Sequence, residues 1–287
     1  MARRLSLLVA AVVVAAGVVG FIALDRATFG IPRFYLWRTF GGEFRGAHRA
    51  NVNGISLYYE IYGQGPPVLV LHGAGAFLES MHHFIAALAP GHTVIAIDSR
   101  GQGRSSDTDA PLSYAQMGDD MIKLMDALKI GRADVVGWSD GGIVGLDMAM
   151  KHDGRVRRLV AIGANYDANG IDAKELSPAA LDAQVREIEP FYRFIAHNPS
   201  HFPVLVKKIE KMITTEPHYS LAELGRIHAA VLIVAGEHDA ILRGHTDALA
   251  RTIPGAKEII VPGASHMGPL EQPATYNALV LRFLDAR

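Results

Sequence analysis

The chain has 287 residues, of which 49% are hydrophobic and 20% are charged, a balance typical of a folded protein. Its 28 basic and 29 acidic side chains give a formal net charge of −1, so no basic surplus is available to neutralise a phosphate backbone. The absence of cysteine excludes disulfides, thiolate metal sites and a cysteine nucleophile. Because the chain has no basic surplus, we expect no nucleic-acid partner.

A run of 20 uncharged residues from Leu5 to Leu24 is the first feature along the chain. A helix of that length rises about 30 Å, which matches the hydrocarbon core of a bilayer. Aromatic residues mixed with arginines follow, as at a membrane interface (Phe29, Arg33, Phe34, Tyr35, Trp37, Arg38 and Phe40). We predict a single-pass transmembrane helix, with a membrane anchor over residues 1–26 and a juxtamembrane linker over residues 27–46.

The same run is also compatible with export. Small residues at Ala15-Ala16-Gly17 offer a cleavage site, so a signal peptide removed on export is the alternative. The run is longer than a typical signal-peptide core of about 7–15 residues, which favours the retained anchor. Arginines lie on both sides of it, so no membrane orientation is predicted.

Short, unbroken apolar runs alternate with helical patterns over residues 47–287. An Asn53-Gly54 pair between two strand-like segments first predicts a β-hairpin. The later runs are typical of strands buried on both faces of a parallel sheet, and they are Val68–Leu71, Val94–Ile97, Val135-Val136, Leu159–Ile162 and Val231–Val234. The alternation predicts a doubly wound α/β domain of about eight strands, with helices on both faces and an antiparallel edge at its start.

One insertion interrupts this alternation. About 65 residues with helical patterning separate the strand ending near Ile162 from the strand starting near Val231. A crossover helix needs only about a dozen residues. We predict that the excess, at about residues 165–228, forms a helical cap over one edge of the sheet, the alternative being a second packing layer without function.

The segment Gly137-Trp138-Ser139-Asp140-Gly141 follows an apolar strand and precedes a helical pattern. This is the context in which G-x-S-x-G forms a sharp turn that exposes a nucleophilic serine. The flanking positions must lack side-chain bulk, which glycine provides. The pattern predicts Ser139 as the nucleophile, above a helix N-terminus that stabilises developing negative charge.

A serine nucleophile needs a base, and the base needs an orienting carboxylate. His266 lies in the loop after the last predicted strand, and Asp239 follows the strand before it. The carboxyl ends of parallel strands share one sheet edge, so both residues are expected near Ser139. We predict Ser139, Asp239 and His266 as the catalytic residues.

From about Ala47 to its C-terminus the chain resembles the α/β-hydrolase superfamily. The resemblance is carried by Leu71-His72-Gly73, by Asp98–Ser105 in the pattern D-x-R-G-x-G-x-S, by Gly137–Gly142 and by Gly263–His266. The Gly-Trp-Ser-Asp-Gly-Gly segment is similar to valacyclovir-hydrolase-like and related carboxylesterase members. The resemblance implies an α/β-hydrolase fold and the chain order serine, acid, histidine found here.

The resemblance also implies where the oxyanion donors lie. One backbone amide comes from the loop after the strand Val68–Leu71, at Ala74, and the second from Asp140, next to the nucleophile. His72 is then expected to be a structural hydrogen-bonding residue, and the D-x-R-G-x-G-x-S loop an architectural element. Some superfamily members place the acid after an earlier strand, which makes Asp167 the alternative to Asp239.

These residues predict a serine hydrolase that cleaves a small or medium carboxylic ester through an acyl-enzyme on Ser139. No metal and no cofactor is expected, because the histidines form no ligand pattern and no dinucleotide fingerprint is present. The alternatives are a carbon–carbon bond hydrolase or a perhydrolase with the same triad, or a catalytically silent ligand-binding homologue. Aspartate-nucleophile relatives, such as epoxide hydrolases and haloalkane dehalogenases, are disfavoured by Ser139. No oligomeric state is predicted.

Two further expectations concern substrate choice. Five cap side chains can line an apolar pocket (Phe191, Tyr192, Phe194, Phe202 and Met212). The carboxylate of Asp140 is not demanded by the chemistry, since only its backbone amide is used. It either accepts backbone hydrogen bonds from a neighbouring loop, or faces the pocket and attracts a cationic group of the substrate, such as an amine.

Overall fold

The structure is a computed structural model that describes Asp25, Thr28 and residues 30–286. The chain divides into two units, Met1–Phe44 and Arg45–Arg287. In the first unit, helix α1 (Ile31–Phe40) buries Phe34, and the Asp25 carboxylate accepts hydrogen bonds from the backbone and the guanidinium of Arg33. The anchor predicted at Leu5–Leu24 lies outside the described residues. None of the helices that are described has the length and apolarity to cross a membrane.

The second unit contains the predicted sheet of eight strands. The strands are β1 (Phe44–Val52), β2 (Ile55–Tyr62), β3 (Pro67–Leu71), β4 (Thr93–Ile97), β5 (Ala133–Trp138), β6 (Val156–Ile162), β7 (Ala230–His238) and β8 (Lys257–Ser265). Their order in the sheet is β1-β2-β4-β3-β5-β6-β7-β8, and β2 runs antiparallel to β4 while β4, β3, β5, β6, β7 and β8 run parallel. Asn53 and Gly54 turn the first hairpin with φ of 45° and 78°, the combination that a two-residue hairpin loop favours. The mostly parallel α/β sheet is confirmed.

Nine helices of this unit cover or extend the sheet. They are α2 (His82–Leu88), α3 (Tyr114–Ala127), α4 (Asp140–Lys151), α5 (Pro178–Ile195), α6 (Phe202–Thr215), α7 (Leu221–Leu224), α8 (Arg243–Thr252), α9 (Gly268–Glu271) and α10 (Pro273–Leu284) among the described residues. Leu69 and Leu71 belong to one hydrophobic cluster with side chains of α3 and α4, whereas Val68 and Val70 are buried on the opposite face of β3. Both faces of the sheet are therefore covered, which explains the unbroken apolar runs.

The segment between β6 and β7 carries α5, α6 and α7. Helices α5 and α6 contact each other, and α6 buries Phe202, Leu205, Ile209 and Met212 at the spacing of one helix face. The buried Asp107 carboxylate, in the loop after β4, lies 2.7 Å from Lys208 Nζ and 2.8 Å from His201 Nε2. This ionic contact joins the inserted helices to the loop that carries the D-x-R-G-x-G-x-S segment.

Candidate active site

Ser139 lies in the sharp turn between β5 and α4. Its backbone has φ 55° and ψ −121°, a conformation that few residues with a side chain adopt. A Cβ atom on Gly137 would lie 2.1 Å from the carbonyl oxygen of Gly141, and one on Gly141 would lie 2.2 Å from that of Leu71. Both flanking positions are therefore restricted to glycine, and the turn holds Ser139 at the carboxyl end of β5.

The structure brings Ser139, His266 and Asp239 together. His266 Nε2 lies 3.0 Å from Ser139 Oγ, and its Nδ1 lies 2.7 Å from Asp239 Oδ1. The Asp239 carboxylate also accepts hydrogen bonds from the amides of Gly236 (3.1 Å) and Ile241 (3.0 Å). Burial alone would raise the pKa of Asp239, but the hydrogen bond with His266 and these amides outweigh it and lower the pKa below its ordinary value. The three side chains thus form a continuous hydrogen-bonded chain with an ionised acid.

Asp167, the alternative acid, has a different partner. Its Oδ2 lies 2.8 Å from His218 Nδ1, and this hydrogen bond lowers the pKa of Asp167. Its Oδ1 accepts a hydrogen bond from the Asn169 amide and begins a short 3-10 helix. Asp239, and not Asp167, therefore contacts the histidine.

Two residues that support His266 were not predicted. Trp138 Nε1 donates a 3.0 Å hydrogen bond to the carbonyl oxygen of His266. Gly163 follows β6 with φ 56°, and a Cβ atom there would lie 2.9 Å from His266 Cε1. For Gly163, the sequence did offer a signal. A glycine directly after a buried strand indicates either a left-handed backbone conformation or a close approach of another residue to the backbone. The position of Trp138 inside the G-x-S-x-G segment carried no comparable signal.

The predicted oxyanion donors flank the nucleophile. A Cβ atom on Gly73 would lie 3.1 Å from Ser139 Cβ, so the turn containing Ala74 approaches the serine closely. Across residues 30–286, neither the Ala74 nor the Asp140 backbone amide donates a hydrogen bond to the protein. Both amides are thus available for a ligand oxygen, as an oxyanion hole requires.

The turn itself is held by buried side chains. His72 Nε2 accepts a 3.0 Å hydrogen bond from the Ser99 amide, so Nδ1 carries the proton and donates to the Gly73 carbonyl oxygen at 2.7 Å. Burial lowers the pKa of His72 to about 4, which keeps the ring neutral. Gln102 Oε1 accepts a 2.6 Å hydrogen bond from the Gly75 amide. His72 therefore lies where a structural hydrogen-bonding role was expected.

The Asp140 side chain accepts a hydrogen bond from a tyrosine. One of the two interpretations of this residue had predicted hydrogen bonds from backbone amides. Its Oδ1 accepts a 2.8 Å hydrogen bond from the Tyr114 hydroxyl, while its buried Oδ2 accepts none from the residues that the structure describes. Burial raises the pKa of Asp140 to about 6, and the Tyr114 hydrogen bond and nearby His266 oppose the shift. The residue that follows Ser139 thus carries a buried carboxylate with one oxygen that has no donor among the described residues.

An apolar cleft lies between α5, α6 and the Ala74 turn. Its empty space, counted to the open mouth, is about 480 Å³. Of the five cap residues expected in a pocket, only Phe202 is among the residues that line the cleft. Phe191, Tyr192, Phe194 and Met212 are not: Tyr192 is buried with its ring 4.9 Å from that of Phe202, and Phe194 is 87% exposed. Most of the lining is aliphatic, and it comprises Ala74, Gly75, Leu181, Gln184, Val185, Ile188, Phe202, Leu205, Val206, Ile209, Glu210 and Ile213.

Comparison with known proteins agrees with this architecture. Residues 68–279 match the alpha/beta hydrolase family. The chain is 30% identical to the putative carbamate hydrolase RutD of Azorhizobium caulinodans, over 79% of this chain and 94% of that protein. It is 28% identical to the human serine hydrolase BPHL, over 89% of this chain and 91% of that protein.

A solved structure shares the fold at lower identity. The crystal structure of a bacterial membrane phospholipase A is 22% identical, with a TM-score of 0.75, and the match covers 99% of this chain and 98% of that one. The family match spans well over half of the chain, and a relative at 30% identity covers most of it. The protein therefore belongs to the alpha/beta hydrolase family and is a hydrolase of that type.

Proposed function

We propose that the protein hydrolyses a small or medium carboxylic ester by acyl transfer through Ser139. The supporting observation is the hydrogen-bonded chain from Ser139 Oγ through His266 to Asp239, with distances of 3.0 and 2.7 Å. His266 Nε2 takes the hydroxyl proton as Oγ forms its bond to the carbonyl carbon, and returns it to the leaving alcohol. Asp239 holds the Nδ1 proton and stabilises the imidazolium.

The carbonyl electron pair moves onto oxygen in this step and needs donors. The free amides of Ala74 and Asp140, on either side of Ser139, supply them, and the N-terminus of α4 adds a favourable dipole. In the second half of the reaction, His266 takes a proton from water, which attacks the acyl-enzyme and releases the acid. Ser139 then recovers its proton from His266.

The cleft supports an aliphatic acyl group. Ala74 belongs both to the cleft lining and to the turn that carries an oxyanion donor, so a carbonyl bound there can direct its chain toward Ile188 and Ile209. Burying apolar carbon against such a surface contributes roughly 25 cal/mol per Å².

The decisive experiment combines labelling with turnover. We expect a fluorophosphonate to label the wild type and not Ser139→Ala, and p-nitrophenyl esters to be hydrolysed only by the former. A panel of thioesters, lactones, amides, carbamates, phospholipids and β-diketones, together with a peracid assay, then separates the alternatives. Absence of labelling and of turnover would indicate the silent ligand-binding homologue. Labelling with turnover of diketones but of no ester would indicate carbon–carbon hydrolysis.

We further propose that residues 5–24 anchor the protein in a membrane as one helix. The support is the uncharged run of 20 residues followed by aromatic residues and arginines. The full-length protein should sediment with membranes and resist carbonate extraction, whereas a variant lacking residues 1–26 should be extracted. Release into the medium with a new N-terminus after Gly17 would show a cleaved signal peptide instead.

A further inference from the structure

The turn that carries Ala74 contains two peptide groups whose orientations must both be held. The first joins Gly73 to Ala74, and because a trans peptide is planar, its carbonyl oxygen and the Ala74 N–H point in opposite directions. The Gly73 oxygen accepts hydrogen bonds from His72 Nδ1 (2.7 Å) and from the Ala76 amide (3.3 Å). These bonds hold the first peptide group at its carbonyl oxygen, so the second peptide group is the point at which the turn can still change conformation.

The second peptide group joins Ala74 to Gly75 and lies at the centre of the four-residue turn. This is the peptide whose rotation distinguishes one turn type from another. Gly75 has φ 68°, and a glycine tolerates either sign of φ, so the residue itself does not prevent that rotation. The hydrogen bond of 2.6 Å from the Gly75 amide to Gln102 Oε1 opposes it.

Gln102 is well placed to act as a fixed acceptor. Its side chain is only 1% exposed, and its own backbone is held by a bond from its amide to the Ser99 oxygen and one from the Ser105 amide to its oxygen. The same loop is braced by the Asp98 carboxylate, which accepts hydrogen bonds from the amides of Leu78 and Arg104. An acceptor held this firmly can impose one orientation on a neighbouring peptide.

We propose that Gln102 is a positioning residue that keeps the Ala74 turn in the single conformation able to stabilise the oxyanion. The inference rests on the proposed acyl transfer through Ser139. It gives the D-x-R-G-x-G-x-S loop a function beyond architecture. Since oxyanion contacts strengthen only in the transition state, the loss of Gln102 Oε1 lowers kcat and changes KM little.

The test compares variants of two buried residues in one loop. Gln102→Met keeps the length of the side chain and removes the acceptor. Ser105→Ala removes a hydroxyl that bonds the Tyr58 amide and the Asp98 oxygen, neither of which belongs to the Ala74 turn. We expect Gln102→Met to lower kcat for a p-nitrophenyl ester about 10- to 100-fold with KM within about threefold, and Ser105→Ala to leave both near wild type.

The inhibition constant of a transition-state analogue tests the proposal independently of the amount of folded protein, because unfolded enzyme does not change this constant. Ser139 Oγ adds to an alkyl trifluoromethyl ketone, its proton passes to His266, and the ketone oxygen becomes an oxyanion. The inhibition constant should rise at least about tenfold in Gln102→Met, while that of the matching secondary alcohol, which forms no oxyanion, stays unchanged. If Gln102→Met does not fold, Gln102→Asn, whose oxygen is one methylene short of Gly75, replaces it.

Two results would overturn the proposal. One is a variant that binds the ketone and turns over ester as the wild type does. The other is an equal loss of affinity for the ketone and the alcohol, which would indicate general damage to the site. Failure of the proposed function is recognised separately, because the wild type would then show no turnover that depends on Ser139.

Discussion

The indole Nε1 of Trp138 donates a 3.0 Å hydrogen bond to the backbone carbonyl oxygen of His266. The residue before Ser139 therefore holds the loop that carries His266. Because Trp138 ends β5 and is buried, its position is determined by the sheet. The separation of Ser139 Oγ and the imidazole thus depends on a contact that lies outside the side chains of Ser139, Asp239 and His266.

Replacing Trp138 with phenylalanine should loosen this loop. The change removes the N–H donor and leaves a smaller ring, so we expect kcat to fall roughly 3- to 10-fold and the free energy of unfolding to fall by about 1–2 kcal/mol. Steady-state kinetics and urea denaturation measure the two effects. Trp37→Phe, in α1 of the other unit, serves as the matched control. A Trp138→Phe enzyme with unchanged kcat would show that His266 is positioned by Asp239 alone.

The two candidate acids can be separated by paired substitutions. Asp239→Asn removes the acceptor of the Nδ1 proton and favours the wrong imidazole tautomer, so kcat should fall by about 10⁴-fold. Asp167→Asn should leave kcat near wild type, since its partner is His218. Both are measured on the same ester at saturating substrate. Comparable losses in the two variants would contradict the geometry.

The position of the cleft predicts that Ile209 limits the length of the acyl chain that the enzyme accepts. Ile209 lies on the cleft-lining face of α6, so an indole in its place should fill the space that a longer chain needs. We expect Ile209→Trp to lower kcat/KM for octanoate esters at least about tenfold and to leave acetate esters within about threefold. Val204→Trp is the control, because Val204 lies on the same helix and is 48% exposed. An equal loss for all chain lengths would place the acyl group elsewhere.

The pKa of Asp140 predicts a pH-dependent contribution to stability. Folding raises this pKa from 3.8 to about 6, so between these values the folded protein keeps a proton that the unfolded chain has lost. The contribution is present below about pH 4 and is lost as the pH rises through about 6. Asp140→Asn keeps an acceptor for Tyr114 and cannot ionise. Relative to wild type, it should therefore gain on the order of 3 kcal/mol of stability between pH 4 and pH 7.5.

Urea denaturation at the two pH values tests this prediction. The comparison must be made between the two proteins, because burial also raises the pKa of Asp98 to about 6 and both proteins share that group. A stability difference that is the same at both pH values would show that Asp140 is ionised without cost in the fold.

The free Asp140 oxygen also predicts a substrate preference. A buried carboxylate oxygen without a donor is costly, and a substrate ammonium group within reach would relieve that cost. Valine benzyl ester should then be cleaved faster than its desamino analogue, and Asp140→Asn should abolish the difference. Equal rates for the two esters in the wild type would remove this role.

The parts of the site that follow from chain order were predictable, and those that depend on loop contacts were not. Ser139, Asp239 and His266 each follow a strand of the parallel sheet, so the order of the strands places them at one edge. Gln102 bonds a residue 27 positions away, and only the folded loops show that contact. Which apolar side chains line the cleft depends on the rotation of α6 about its axis. The number of apolar residues in the helix does not determine that rotation.

The buried carboxylate of Asp107 matters when segments are exchanged between related hydrolases. Only 6% of its side chain is exposed, and the carboxylate pairs with the Lys208 ammonium and contacts the His201 ring, both in the segment inserted between β6 and β7. A chimaera whose inserted helices lack these basic residues would leave this charge buried and unpaired, at a cost of about 3–5 kcal/mol. Transfer of these helices from a related hydrolase thus requires that residue 107 and its basic partners be exchanged together.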